Sequence, residues 1–423
     1  MTWAPACDTS LRFEGAVLID GSGAPPVPNA TVIADEGGRI RYAGSAAEAP
    51  ATSEAVVIDV TGHTLLPGFF DCHVHMAMTP GRRPAEGLGA DPVVDVIATA
   101  GRLRETLHAG VTTVRDLGGT PAGFRTAIEQ GLIEGPRLQV AVKVIGHTGG
   151  HADCSLSSGI NAAPWLTELA DTPDEVRVAA RRMFRDGADV IKVCATGGMG
   201  SPHDDPDDEG LTIEEMRAAV TEGRRHRGRK VAAHAQGAAG IRNALLSGVA
   251  SVEHAYGITD ELCDLARQQD AFLVPTLATA FRPLDPVGMP EYHFRKKSRW
   301  AGVTKENIAR AISHGVKIAV GTDAGVTPHG FNLRELSYLV ELGMEPMAAI
   351  IAGTRTSAEL LGLADTLGTV EAGKIADLVV VAGDPLADIS LLGSPRSVVL
   401  VAQAGVIRKN LLLHPLTTGK EQL

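Results

Sequence analysis

His73 and His75, in "FFDCHVH" (69–75), end an apolar run. Residues two apart on a strand point to one side, so both imidazoles can face a single metal ion. A His-x-His pair alone is weak evidence, since packed or surface histidines are common. Later apolar runs add to it, each closing on a polar residue: Lys192 in "IKV", His234 in "AAHA", His254 in "VEHA" and Asp323 in "GTDAG". Core histidines could fill one or two such positions by chance. Filling all of them with metal-ligand types points to a metal centre. Lys192 stands out, because a buried amine must lose its proton, find a counter-charge or be chemically changed.

These residues need elements that bring them together. From about residue 61 the chain alternates short β-branched runs with amphipathic helical segments, the pattern of parallel βα units. The runs are 63–75, 111–118, 138–146, 189–196, 230–236, 251–257, 271–277 and 316–325. Eight of them predict an α/β fold, a closed (β/α)8 TIM-type barrel, in which strand ends converge on one face. Thr172-Pro173-Asp174-Glu175 and Thr212-Ile213-Glu214-Glu215 match the capping box that starts a helix. Val176, Ala179, Ala180 and Met183 recur behind the first at helical spacing and read as a core face. Turn-rich segments 147–172, 197–210 and 278–300 follow the third, fourth and seventh runs, on the face where a barrel keeps its active site.

The first 60 or so residues and the tail instead show short extended runs joined by Gly and Pro turns, as in "ATVIADEGGRIRYAG" and "SVVLVAQAGVIRK". They predict a small β-sandwich domain built from both chain ends. The expected domains are 1–62 and 366–423 for the sandwich, and 63–365 for the barrel.

Composition narrows the function. The formal net charge of −11 opposes a nucleic-acid partner, and Arg224-Arg225-His226-Arg227 reads as a solvated helix end. Five scattered cysteines (Cys7, Cys72, Cys154, Cys194, Cys263) contain no Cys-x-x-Cys, which suggests neither a disulfide framework nor a thiolate zinc site. "MTWAPACDTS" lacks the basic and apolar segments of a leader, and no long apolar span is present. The expectation is a cytoplasmic enzyme, neither exported nor membrane-spanning.

"PGFFDCHVH", "DVIKVCATGG", "AAHAQG", "SVEHAYG", "VGTDAG" and "GKIADLVVV" together resemble the amidohydrolase superfamily of metal-dependent hydrolases, over nearly the whole chain. "IKVCATGGMGS" and "GHTGGHAD" look most like its branch of prolidase-like Xaa-Pro dipeptidases, related carboxypeptidases and ochratoxin-hydrolysing amidases. The resemblance implies two divalent metals, zinc above all. One takes His73, His75 and Asp323, and the other takes His234 and His254. It implies that Lys192 is carboxylated by carbon dioxide and that this N6-carboxylysine bridges them. It further implies attack by a metal-bridging hydroxide, with Asp323 as ligand and general acid–base, and a homo-oligomer of two to eight chains.

Around that centre, His151 in "GHTGGHAD" matches the branch's substrate-contacting histidine better than His147 does. Gln236 stands where dipeptidase-like relatives often carry tyrosine or histidine, a departure that bears on an ordinary dipeptide substrate. His329 in "VTPHG" resembles a substrate-loop position. Tyr256 reads as a packing residue, "HDDPDDEG" (203–210) as a solvated acidic loop, and Asp116 as a turn cap or an orienter of a histidine. The leading expectation is an amidase or peptidase acting on an N-acyl amino acid or dipeptide-like substrate. The alternatives are a hydrolase of cyclic amides, carbamates or ureas, and a non-catalytic scaffold.

Overall fold

Gly68 divides the first apolar run between two sheets. In the computed structural model, which describes residues 9–412 except 53, 83 and 286, together with 417–418, His63–Pro67 pairs with Leu11–Leu18 and Leu378–Ala382 in one sheet. Phe69–Val74 pairs with Val111–Asp116 in another. A Cβ on residue 68 would lie 2.3 Å from Thr112 Oγ1 and 2.9 Å from Asp377 Cβ, so only glycine allows the two sheets to cross here. The change of sheet thus comes about five residues after the expected 62/63 boundary.

Eight parallel runs follow in order: Phe69–Val74, Val111–Asp116, Arg137–Val140 continuing as Val144–Gly146, Ile191–Cys194, Val231–Ala235, Ser251–His254, Phe272–Val274 and Lys317–Ile318. They are called the first to eighth strands below. The third breaks at Val142, whose φ is +68°. Its first half pairs with the second strand and its second half with the fourth. Hydrogen bonding then returns from the last run to the first: Cys72 N–H donates to Val320 O and Asp323 N–H to His73 O, both at 2.7 Å. The strands thus form a ring; Lys192 stands within its fourth member, and the other candidate ligands stand at or just beyond the C-terminal ends of its first, fifth, sixth and eighth.

Helices cover the ring as the capping signals predict. Thr172 accepts from Glu175 N–H to start Pro173–Arg185, and Thr212 and Glu215 form a reciprocal capping box at Ile213–Arg225. Val176, Ala179, Ala180 and Met183 are buried, as their spacing requires. Segment 278–300, expected to be turns, is partly helical: a short helix Leu277–Ala280 and then the long helix Glu291–Ser313. Pro290, just before its first residue, is the local start signal.

The chain ends build one branched nine-stranded sheet rather than two separate sheets. The period-2 alternation explains its place. Leu378, Val380, Leu400 and Ala402 join the sheet's own core around Phe13, Leu18 and Val32. Their alternates Val379, Val381 and Val401 join the ring-and-helix core, as does Val398 beyond the register shift between Val380 and Val381. Each such buried Val or Leu contributes on the order of 1.5–3 kcal/mol, and the buried Arg137–Asp377 ion pair ties the two parts. Cys72, Cys154, Cys194 and Cys263 are free thiols, while Cys7 lies outside the described residues. Among the described residues, no helix is long and apolar enough to cross a membrane.

Candidate metal centre and cavity

Four imidazoles meet at the strand ends, and each has one nitrogen already engaged by the protein. His73 Nδ1 lies 2.9 Å from Glu253 Oε2, His75 Nδ1 2.8 Å from Gly118 O, and His254 Nδ1 2.7 Å from Thr276 Oγ1. For His234 the engaged atom is Nε2, 3.0 Å from Gly197 O. That fixes the remaining donors as Nε2 of three rings and Nδ1 of the fourth, the arrangement in which outer partners orient metal-binding histidines. Ring centroids of His73 and His254 are 5.1 Å apart, and those of His234 and His254 4.5 Å. Ligand atoms of His73, His254 and Asp323 lie within 4.8 Å of one another, a spacing that can hold a metal ion.

Asp323 sits between the two histidines of the first strand, with Oδ1 3.6 Å from His73 Nε2 and 3.2 Å from His75 Nε2. Its φ is +59°, and His254 (+73°), Ala255 (+54°) and Thr276 (+51°) are likewise left-handed. Strain of this kind costs of the order of 1–3 kcal/mol per residue and collects where a site dictates the backbone. Asp71 holds the turn: its carboxylate accepts from His73 N–H (3.1 Å), Thr322 N–H (3.1 Å), Thr322 Oγ1 (2.6 Å) and Asn332 Nδ2 (2.7 Å).

Lys192 is 3% exposed, and its Nζ has no hydrogen-bond partner among the described residues. Burial lowers its pKa, as it lowers those of His73, His234 and His254 well below the usual imidazole range. At His75 burial also works against the charge, but Asp323, Asp116 and the Gly118 carbonyl together outweigh it and raise the pKa. At Asp323 burial works toward protonation, but the hydrogen bond from His75 and the nearby histidine charges hold the carboxyl below its ordinary value. Burial thus favours the neutral forms of Lys192, His73, His234 and His254, while His75 and Asp323 favour each other's charged forms.

All six candidate ligands line one cavity of about 190 Å³. His151 and Gln236 line it too. The His151 ring stacks on His234 at 4.2 Å, and Gln236 Oε1 is buried without a partner among the described residues. His147 does not line it: half-buried, its Nδ1 is 2.9 Å from Thr148 O of its own loop. His329 is also absent from the cavity. It lies buried behind the first strand, 3.4 Å from Thr106 Oγ1 and against the His75 backbone, where burial drives its pKa down to about 3. Tyr256 is both buried and part of the wall, its hydroxyl 3.0 Å from Thr276 Oγ1. Asp116 caps its turn, accepting from Met76 N–H (2.6 Å) and Gly118 N–H (3.0 Å), and through that turn sets the carbonyl that meets His75.

The sequence reading missed the partners beneath these ligands. Glu253 is fully buried and accepts from Arg115 (2.9 Å) and Ser251 (2.5 Å) as well as facing His73. It precedes His254 by one, so strand alternation assigns the two to opposite faces; the left-handed φ of His254 breaks that rule. The buried arginine in "TTVRDLG" was the available signal, since it requires a counter-ion. The acidic loop is not simply solvated either. Lys296 Nζ donates to Gly198 O (3.0 Å), Ser201 O (2.7 Å) and Asp204 O, while Arg299 pairs with Asp205 and Asp207.

The sequence model for the Amidohydrolase family matches residues 64–408, most of the chain. The chain belongs to the amidohydrolase family. It is accordingly a hydrolase of carbon–nitrogen bonds. Ochratoxinase of Aspergillus niger is 32% identical over 418 residues, covering 93% of this chain and 85% of that protein. Imidazolonepropionase of Methylobacterium nodulans is 27% identical, covering 82% and 86%. A solved Xaa-Pro dipeptidase with methionine bound in its active site superposes with a TM-score of 0.86, at 32% identity over 94% of this chain and 99% of that one.

Proposed function

We propose that this amidohydrolase is a binuclear metal-dependent enzyme that hydrolyses the amide joining an acyl group to an amino acid, in an N-acyl amino acid or dipeptide-like substrate. The ring is read as a closed (β/α)8 barrel spanning about 68–365, with residues before and after it forming the small β domain. His73, His75 and Asp323 would hold one metal, His234 and His254 the other, and Lys192 would bridge them as a carbamate.

The observation that carries this reading is the orphaned Nζ of Lys192. A buried amine at the convergence of four oriented imidazoles and a carboxylate has no partner among the described residues and is held toward its neutral form. Neutral and nucleophilic, it can capture carbon dioxide and become an anion. A carbamate and a carboxylate offset most of the charge of two dications. The donor set, nitrogen and oxygen without thiolate, suits zinc as well as manganese or cobalt.

Bound metals would supply Lewis acidity, polarising the scissile carbonyl and acidifying a water. The residues do the rest. Asp323, anionic at the mouth of the first and eighth strands, accepts the water's proton and returns it to the leaving nitrogen. Gln236 offers its unpaired amide to the substrate, and His151, held on His234, faces the carbonyl side. The apolar walls exclude bulk water. The reading extends to a homo-oligomer in the cytoplasm, checked by sedimentation of the purified chain and by fractionation.

Metal analysis together with a hydrolysis screen tests this. About two ions per chain and turnover of N-acyl amino acids or dipeptides are expected. Fewer than one ion per chain would sink it. The kinship with imidazolonepropionase supports a second reading, a cyclic-amide hydrolase, and turnover of lactams alone in the same screen would replace the first. Lys192→Ala is expected to lose activity and one of the two metals, with partial rescue by a short carboxylate; full activity would refute the bridge.

A further inference from the structure

Lys297 lies in the cavity wall and is 4% exposed. Its Nζ donates to one carbonyl, Thr279 O, at 3.0 Å. Among the described residues, no carboxylate lies within ion-pair distance of it, and the charge that acts on it is another cation, Arg282. Burying an ammonium without a counter-ion is costly, and here burial with Arg282 lowers its pKa to about 8.

The neighbouring lysine shows the contrast. Lys296 is equally buried, but it is satisfied by three carbonyls and by Asp204 Oδ1 at 3.6 Å. It holds a loop. Lys297 instead lines the cavity, as does His293 one helical turn before it on the same face of Glu291–Ser313. This helix follows the seventh strand. Across a ring of eight stands the third, whose side of the cavity carries Val144, Ala152 and Leu166 beside His151, Cys154 and Thr167.

We propose that Lys297 and His293 form the subsite that receives the substrate's carboxylate, so that the enzyme prefers amides whose amino-acid portion carries a free carboxylate, with the apolar portion directed to the third strand. This rests on the amide-hydrolase reading and names the polarity of its substrate. The carboxylate supplies the counter-ion that the protein omits, and two donors on one helix face match its two oxygens.

The test compares a charged and a neutral probe of similar shape, 3-phenylpropionate and 3-phenylpropanol, by calorimetry on the metal-loaded protein, alongside hydrolysis of N-acetyl-L-phenylalanine. The carboxylate is expected to bind the unmodified protein about tenfold or more tightly than the alcohol. Lys297→Met should weaken the carboxylate about tenfold or more and leave the alcohol unchanged, Lys297→Arg should retain most of the affinity, and His293→Leu should give a smaller loss. Unchanged alcohol binding also reports that each variant is folded. Equal carboxylate affinity in Lys297→Met, or no preference for the carboxylate in the unmodified protein, would overturn the subsite. Lys297-dependent binding without any amide hydrolysis would overturn the amide reading and leave the subsite standing.

Discussion

Replacing Glu253 with glutamine changes one oxygen to nitrogen, yet the structure makes it a test of how the metal centre is held. The carboxylate accepts from Arg115, from Ser251 and from His73 Nδ1, all in a fully buried setting. A glutamine oxygen can still accept from Arg115 and Ser251, but as a neutral acceptor each bond weakens by about 1 kcal/mol. The amide nitrogen then faces His73 Nδ1, and two donors meet. The third bond is lost, for about 1.5–3 kcal/mol, or the ring moves its proton to Nε2 and blocks its own donor atom. The sum is a destabilisation of about 3–5 kcal/mol, the range for breaking a buried ion pair, with metal affinity falling about 10–100-fold. Urea unfolding of the metal-free protein reads the first, and competition with a chromophoric chelator reads the second. Unchanged metal affinity in a folded Glu253→Gln protein would refute the claim that Glu253 sets the His73 tautomer.

Three further outcomes follow from other contacts. A Cβ on residue 198 would lie 2.3 Å from the His151 ring, so Gly198→Ala should displace His151 from His234 and lower kcat about tenfold or more with the fold retained on circular dichroism; unaltered turnover would remove His151 from the reaction. Lys296→Met frees three loop carbonyls, and cleavage within 197–210 by a dilute protease should accelerate about tenfold or more, whereas equal cleavage would show that the lysine does not hold the loop. Glu335 accepts from Leu277 and Ala278 N–H, and burial raises its pKa from 4.5 to about 8. The folded form then keeps a proton that the unfolded chain loses at lower pH, so this group's contribution falls as pH rises from 4.5 to about 8, by at most ~5 kcal/mol. Glu335→Gln should flatten that slope in urea titrations at pH 5 and pH 8, and an unchanged slope would refute the assignment.

The legible part of the fold was what period and strand ends carry. All eight runs form strands of the ring, and all six candidate ligands line one cavity, because each needed only an apolar approach and a polar terminus. The boundary at Gly68 was hidden since 63–75 is apolar on both sides of it: strands in two different sheets read as one when neither face meets water. His147 and His329 lie away from the cavity lining for a related reason. Each is near a motif in sequence, but loop direction decides which side of a turn faces the cavity, and no periodic rule governs it.

The least legible residues are those whose meaning comes from a partner far along the chain. Lys296 and Lys297 are adjacent, alike in sequence and alike in burial, yet one is surrounded by acceptors and the other is left with a single carbonyl. Only the packing of Glu291–Ser313 over the fourth- and seventh-strand loops separates them. Arg115 and Glu253 show the converse: each looks misplaced in an apolar strand until the ring sets them face to face beneath His73. Charges buried with their partners support the centre, and the charge buried without one marks where a ligand belongs. Lys192 and Lys297 are both of that second kind. They differ in what would complete them: at Lys192 the candidate metal ligands surround the amine, and at Lys297 a single carbonyl, a neighbouring cation and an open cavity do.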